Sequence, residues 1–174
     1  SRETRELGSP VTKVVHALRR LRPELILIPY GVDRHPDHVA ASELLLRAAF
    51  LAGNKKFAVQ GGPPSYTVPQ LLFYQMRFQF NPTFVVDISD CLAEKMRAIQ
   101  AFSSQLTRQP GVETLLNSPL TLGAIEARDR YYGSMIGVPA AEPFLSRQLL
   151  GIVDPIEHFR RNNYTSALMF PPQE

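Results

Sequence analysis

Residues 10 to 53 constrain the fold more than any other stretch. In "PVTKVVHALRRLR" (10 to 22), Val11, Val14, Val15, Leu18 and Leu21 recur at helical spacing. That helix is expected to end near Arg22-Pro23, because a residue before proline is pushed out of the helical region. Lys13, Arg19, Arg20 and Arg22 read as its solvated side. "ELILIPY" follows within two or three residues and is a short continuous apolar run of the kind found in buried parallel strands. "HVAASELLLRAAFLAG" then returns to helix formers, carrying Val39, Leu44, Leu45 and Phe50, and stops at Gly53 as a C-terminal cap. Helix, strand and helix with short joins form an α/β signature.

The rest of the chain extends the pattern. Residues 53 to 70 are rich in Gly and Pro and read as a long surface loop near the site. "LLFYQM" and "TFVVDIS" are strand candidates. "SDCLAEKMRAIQAFSSQ" sets Leu92, Met96, Ile99 and Phe102 on one helical face, with Ser89 or Asp90 as N-cap. Residues 107 to 119 read as irregular, and "TLGAIEARDRYYGSMIG" as a helix ending at Gly133 or Gly137. From Pro139 onward no period is sustained. The expected architecture is a single domain over residues 1 to 174, with 148 to 174 a C-terminal extension. It is a Rossmann-like, mostly parallel sheet flanked by helices, and it lacks its first strand or strands because the first recognisable element is a crossover helix.

Composition excludes several function classes. Nineteen Lys and Arg against sixteen Asp and Glu leave a formal charge of +3. The basic residues are scattered, whereas nucleic-acid binding wants a concentrated patch. One cysteine, Cys91, permits no internal disulfide framework, fits a reducing compartment and reads as a small buried residue. No run reaches the length of a membrane span and no signal-peptide pattern opens the chain, so a cytoplasmic protein is expected. Ser1 stands where an initiator methionine would, which reads as a processed product or a fragment.

Two of the four histidines fall in "GVDRHPDHVAA", residues 31 to 41. The stretch leaves the carboxyl end of a strand and enters a helix, where open parallel sheets bind ligands. Its residues suit metal-assisted hydrolysis: imidazole ligates zinc, a second imidazole donates a proton or stabilises an oxyanion, and a carboxylate orients an imidazole. Arg34 could hold an anionic group. The plainer reading is a helix start, with Asp37 as N-cap and Pro36 just outside. A single His-x-x-His does not complete a zinc site, which wants about three protein ligands. His16 and His158 read as surface or packing histidines, and Asp87 and Asp90 as a strand-end turn and a helix cap.

Three blocks in order, "DRHPDHVAASELLLRAAFLAG", "FVVDISDCLAEKMRAIQAFSSQ" and "IEARDRYYGSMIGVPAAEPFL", resemble the PIG-L/LmbE-like zinc-dependent N-deacetylases, most closely the bacillithiol biosynthesis deacetylases. The resemblance implies an enzyme with one Zn2+ that removes acetyl from an N-acetylglucosamine conjugate, in that branch N-acetylglucosaminyl malate. It implies a cytoplasmic homo-oligomer whose partner is that small amino-sugar conjugate, with no nucleic acid and no membrane. His38 then becomes a metal ligand, His35 and Asp37 the catalytic pair at the oxyanion, and Arg34 a substrate contact. Arg77 and Tyr131 are further candidates for lining the sugar pocket.

The family's other motif, His-Pro-Asp-Asp, supplies two more zinc ligands and the general base, and this sequence has nothing like it. The chain is therefore expected to be an N-terminally truncated member, inactive alone. The rivals are a non-catalytic remnant or sugar-binding module of the same fold, and a nucleotide-binding Rossmann-like domain. The second lacks a Gly-x-Gly-x-x-Gly after a strand.

Overall fold

The computed structural model describes residues 4–5, 9–59, 61–102, 106, 118 and 120–161. They fall into two compact units, one of Ser1–Thr83 with Phe144–Leu150, the other of Phe84–Pro143 with Gly151–Glu174. Most of the irregular stretch from 107 to 119, and the tail from 162, lie outside the described residues.

The first unit holds β1 (Thr4–Arg5), α1 (Pro10–Leu21), β2 (Leu25–Pro29), α2 (Pro36–Gly53), β3 (Ala58–Val59) and β4 (Gln70–Tyr74). Ser9 caps α1, its side chain accepting the Thr12 N–H, and Pro10 follows at the first helical position, where its missing N–H costs nothing. The helix stops at Arg22, whose φ of 49° carries it into the left-handed region before Pro23. Thr12, Val15, Leu18 and Arg19 face inward. The face that α2 buries is built from small residues, Ser42, Ala48, Ala49 and Ala52, while Phe50 points to solvent. Small side chains let the two helices approach closely. Their core, Val15, Leu18, Ala48, Ala49 and Ala52, is completed by Val59 and Val68.

Arg19 departs from its expected place on the solvated side. It is only 4% exposed, and its guanidinium donates from Nε to Ala52 O at 3.0 Å and from one terminal nitrogen to Leu51 O at 3.1 Å and Asn54 O at 3.0 Å. The last turn of α2 has no basic residue of its own. A cation from α1 therefore adds a charged donor to carbonyls at the end of α2 that also accept the N–H groups of Asn54, Tyr66 and Phe57.

In the second unit, β5 (Phe84–Asp87) leads into α3 (Leu92–Gln100), followed by α4 (Thr121–Ile136), the strand β6 (Ala141–Leu145), whose end belongs to the first unit, and α5 (Pro155–Arg161). Cys91, not Ser89 or Asp90, stands at the N-cap of α3, and its side chain is exposed. Ser89 instead donates to Asp87 Oδ1 through N–H and hydroxyl, so Asp87 is spent on the turn after β5. Gly137 closes α4 at φ 74°. An ion cluster around the buried Asp129 ties this unit: Lys95 Nζ lies 2.7 Å from Asp129 Oδ2 and 2.9 Å from Glu142 Oε1, and Arg128 donates to Asp129 Oδ1.

The expected mostly parallel sheet is overturned. The strand order is β2-β4-β6-β5. β2 and β4 run parallel, from Leu25 opposite Gln70 to Pro29 opposite Tyr74. β6 runs antiparallel to β4, with Phe73 opposite Leu145 and Tyr74 opposite Phe144. β5 is also antiparallel to β6, because Thr83 N–H donates to Phe144 O while Ile88 N–H donates to Ala140 O. The architecture remains α/β, but the four-stranded sheet is mixed and mostly antiparallel. The physical reason is β6, which lies in the stretch where no period was read. "AEPFL" carries a proline, which argues against a strand in sequence and is tolerated only where a ladder donor can be spared.

Candidate functional site

β2 and β4 end side by side, and Tyr30 N–H extends their ladder by donating to Tyr74 O. The chain then leaves the carboxyl end of β2 at Gly31, where an added Cβ would stand 3.3 Å from Ser42 Oγ. This is the crevice position at which open sheets collect ligands.

Asp33 organises the loop that follows. Its Oδ1 accepts the His35 N–H at 2.8 Å, an Asx turn that aims the backbone into α2. The same oxygen stands 3.0 Å from His38 Nδ1, and Oδ2 accepts the Arg77 N–H at 3.0 Å. Arg77 follows the carboxyl end of β4, so one carboxylate joins the segments that leave two adjacent parallel strands. The Asp33 side chain is 1% exposed, and that of His38 30%. Burial by itself would raise the Asp33 pKa, but hydrogen bonds from the His35 and Arg77 backbones, and then from His38, outweigh it and hold the carboxyl below its ordinary value.

The cap of α2 is His35 rather than Asp37, and Pro36 takes the first helical position. His35 Nδ1 accepts the Asp37 N–H at 3.2 Å. The Asp37 carboxylate is 3.9 Å from the same nitrogen and 87% exposed, so it sits at the helix start without bonding the ring.

These contacts give the two imidazoles opposite tautomers. An ionised carboxylate can only accept, so His38 carries a proton on Nδ1, and in the neutral ring Nε2 keeps a free lone pair. His35 accepts at Nδ1, so its neutral ring carries the proton on Nε2. The ring centroids are 4.9 Å apart and the planes 31° from parallel. One ring is therefore ready as a ligand, and its neighbour as a hydrogen-bond donor.

The structure thus brings together His35, Asp37 and His38, with the exposed Arg34 between Asp33 and His35 and the Arg77 backbone bound to Asp33. Tyr131 belongs to the second unit, half-exposed on α4 with its ring against Tyr132. The Gly/Pro-rich loop lies elsewhere than expected: Tyr66 N–H donates to Ala52 O, in the last turn of α2. A largely apolar cleft of about 490 Å3 beside Ala49, Phe50, Thr67 and Val68 is at that same end. At about 1.5 Å per residue, eleven residues from His38 to Ala49 put it some 16 Å along the helix from the imidazoles. Among the described residues, no group of three or more His, Cys, Asp or Glu could hold a metal ion. His38 fits one position of a metal site, and the described residues do not complete it.

Asp33 is the residue that sequence reading missed. Its signal was present, since an Asp two residues before a helix cap is a common turn former, but the pairing with His38 five residues on exists only once the loop is closed.

No protein-family model matches the chain. Among curated proteins it is 31% identical over 146 residues to the diacetylchitobiose deacetylase of Thermococcus kodakarensis, covering 80% of this chain and 49% of that protein. It is 28% identical over 153 residues to the 1D-myo-inositol 2-acetamido-2-deoxy-alpha-D-glucopyranoside deacetylase 2 of Catenulispora acidiphila, covering 68% of this chain and 49% of that protein. The crystal structure of the conserved protein TT1542 from Thermus thermophilus matches with a TM-score of 0.70 and 37% identity, over 80% of this chain and 59% of that one. The chain spans about half the length of the curated relatives it matches. No helix among the described residues is long and apolar enough to cross a membrane.

Proposed function

We infer that this chain, a member of the PIG-L/LmbE-like deacetylase superfamily, serves a zinc-dependent hydrolysis that removes acetyl from an N-acetylglucosamine conjugate, N-acetylglucosaminyl malate of bacillithiol biosynthesis. One observation carries the reading: His38, backed by a buried carboxylate, keeps a bare Nε2 beside a second imidazole held as a donor. Carboxylate-backed imidazole is the usual form of a metal-bound histidine. Two relatives are deacetylases by name, one of a diacetylated disaccharide and one of an acetamido-glucopyranoside.

His38 would hold the zinc, which when bound polarises a carbonyl and lowers the pKa of a water. The chain's own residues do the rest as follows. His35 donates from Nε2 to the amide oxygen as negative charge gathers there. If His35 takes up a second proton, its Nδ1 stops accepting from the Asp37 N–H, and the Asp37 carboxylate 3.9 Å away becomes its counter-charge. Arg34 and Arg77, both exposed, bind the anionic end of the conjugate. Turnover needs further ligands and a base beyond the described residues, the part the family gives to His-Pro-Asp-Asp. The protein works in the cytoplasm as a homo-oligomer.

The test joins the chain to a segment bearing that motif and measures acetate released from N-acetylglucosaminyl malate with and without Zn2+. Zn2+-dependent release, reduced at least about 100-fold by His38→Ala, is expected. Release that is indifferent to His38 would refute the assignment, and sugar binding with no release would favour a binding module instead.

A further inference from the structure

We propose that Asp33 is the positioning residue of this site: its carboxylate locks His38 in the Nδ1–H tautomer, presenting a bare Nε2, and its other oxygen fixes the backbone at Arg77. The use of that bare nitrogen for a metal rests on the deacetylase reading, but the lock itself does not.

Three donors converge on one carboxylate that is almost wholly buried, the His35 N–H, the Arg77 N–H and the His38 ring. A buried charge persists only when its lone pairs are used, and here they are used by three donors from two segments of the chain, the start of α2 and the stretch after β4. Asp33 is not itself a ligand, because both its oxygens are engaged and its side chain has 1% of its surface exposed. A plain turn-forming aspartate would need only the His35 N–H. The added bonds to His38 and Arg77 connect the first turn of α2 with the segment after β4, so the orientation of the ring and the place of Arg77 depend on one group. Acting through His38 and Arg77, it sets geometry without touching the reacting atoms.

The imidazole nitrogens report the lock directly. In 15N-labelled full chain without metal, above the pH at which histidines titrate, long-range 1H–15N spectra should show His38 protonated at Nδ1 and bare at Nε2. Asp33→Asn should move at least half of that proton to Nε2 while the rest of the amide spectrum keeps its dispersion. His38 protonated at Nε2 in the parent, or a tautomer unchanged by Asp33→Asn, overturns the proposal. Should the variant not fold, hydrogen exchange in the parent decides: slow exchange at both His38 Nδ1–H and Arg77 N–H supports the lock, and fast exchange at either one defeats it. Adding Zn2+ alone to the chain joined to a segment bearing the His-Pro-Asp-Asp motif separates the two readings. A Zn2+-induced shift at His38 Nε2, weakened about 10-fold by Asp33→Asn, supports both. No shift at His38 Nε2, with the tautomer as expected, leaves the lock standing and removes the metal reading.

Discussion

Replacing Arg19 by Met tests whether one buried cation holds the two helices of the first unit together. The guanidinium makes three hydrogen bonds, to Leu51 O, Ala52 O and Asn54 O at 3.0 to 3.1 Å, with 4% of the residue exposed. A hydrogen bond to a charged group contributes about 1.5–3 kcal/mol. Three from one side chain share a single desolvation and do not add. Methionine keeps most of the apolar stem but leaves carbonyls at the end of α2 without that donor, so a loss of about 3–4 kcal/mol is expected. Arg19→Lys should recover roughly half, because a point charge reaches fewer carbonyls than a planar fork. Arg20→Met, one position along and exposed, should stay within about 0.5 kcal/mol. Urea unfolding followed by both circular dichroism and fluorescence reads the effect. With a slope near 2 kcal/mol/M, the midpoint for Arg19→Met should fall by about 1.5–2 M. A fall equal to that of Arg20→Met would refute the capping role, and a changed slope would mean that the two-state comparison does not hold.

Other perturbations follow from the same contacts. Lys95→Met takes from Glu142 its cation and from the buried Asp129 one of two, Arg128 remaining, and should cost about 2–3 kcal/mol in the same unfolding experiment. Gly133→Ala gains helix propensity, but its Cβ would stand 2.6 Å from both Ala140 Cα and Val138 O, which are backbone atoms, so a net loss of about 2 kcal/mol in thermal unfolding is expected. The pKa of Asp33 is depressed in the fold. Its contribution is therefore whole above the unfolded carboxyl value and is lost as pH falls through the lower folded one. Hydrogen-exchange protection of the Arg77 N–H should persist at pH near 4 and fail only below that, and failure at pH 5 to 6 would contradict the assignment.

Much of the fold was legible locally. The spacing in α1 and the proline after it, the apolar run of β2 and the glycine that ends α2 each act within a few residues, where sterics and the helical repeat decide. The His35 to His38 stretch was legible for the same reason, since a proline at the first turn and polar residues around it mark a helix start. What was misread depends on distant partners. Arg19 looked solvated because its wheel position is judged against its own helix, while its burial is set by carbonyls 32 to 35 residues away. Phe50 looked like core because the buried face of α2 is chosen by close packing on small side chains, and an apolar count does not report that. β6 escaped notice because Pro143 breaks the pattern of a strand that its neighbours nevertheless pair.

The sequence by itself determined the approximate spans of α1, β2, α2 and α4, and that two imidazoles stand at a helix start beyond a strand. Strand direction, the burial of Arg19 and the state of those imidazoles were decided only by the tertiary structure. Each depends on which hydrogen-bond partner the folded chain brings into reach: Phe144 O and Ala140 O for β5, the end of α2 for Arg19, and Asp33 for His38. A local pattern fixes dihedral angles and faces, but a donor or an acceptor acquires its role only from the group placed opposite it.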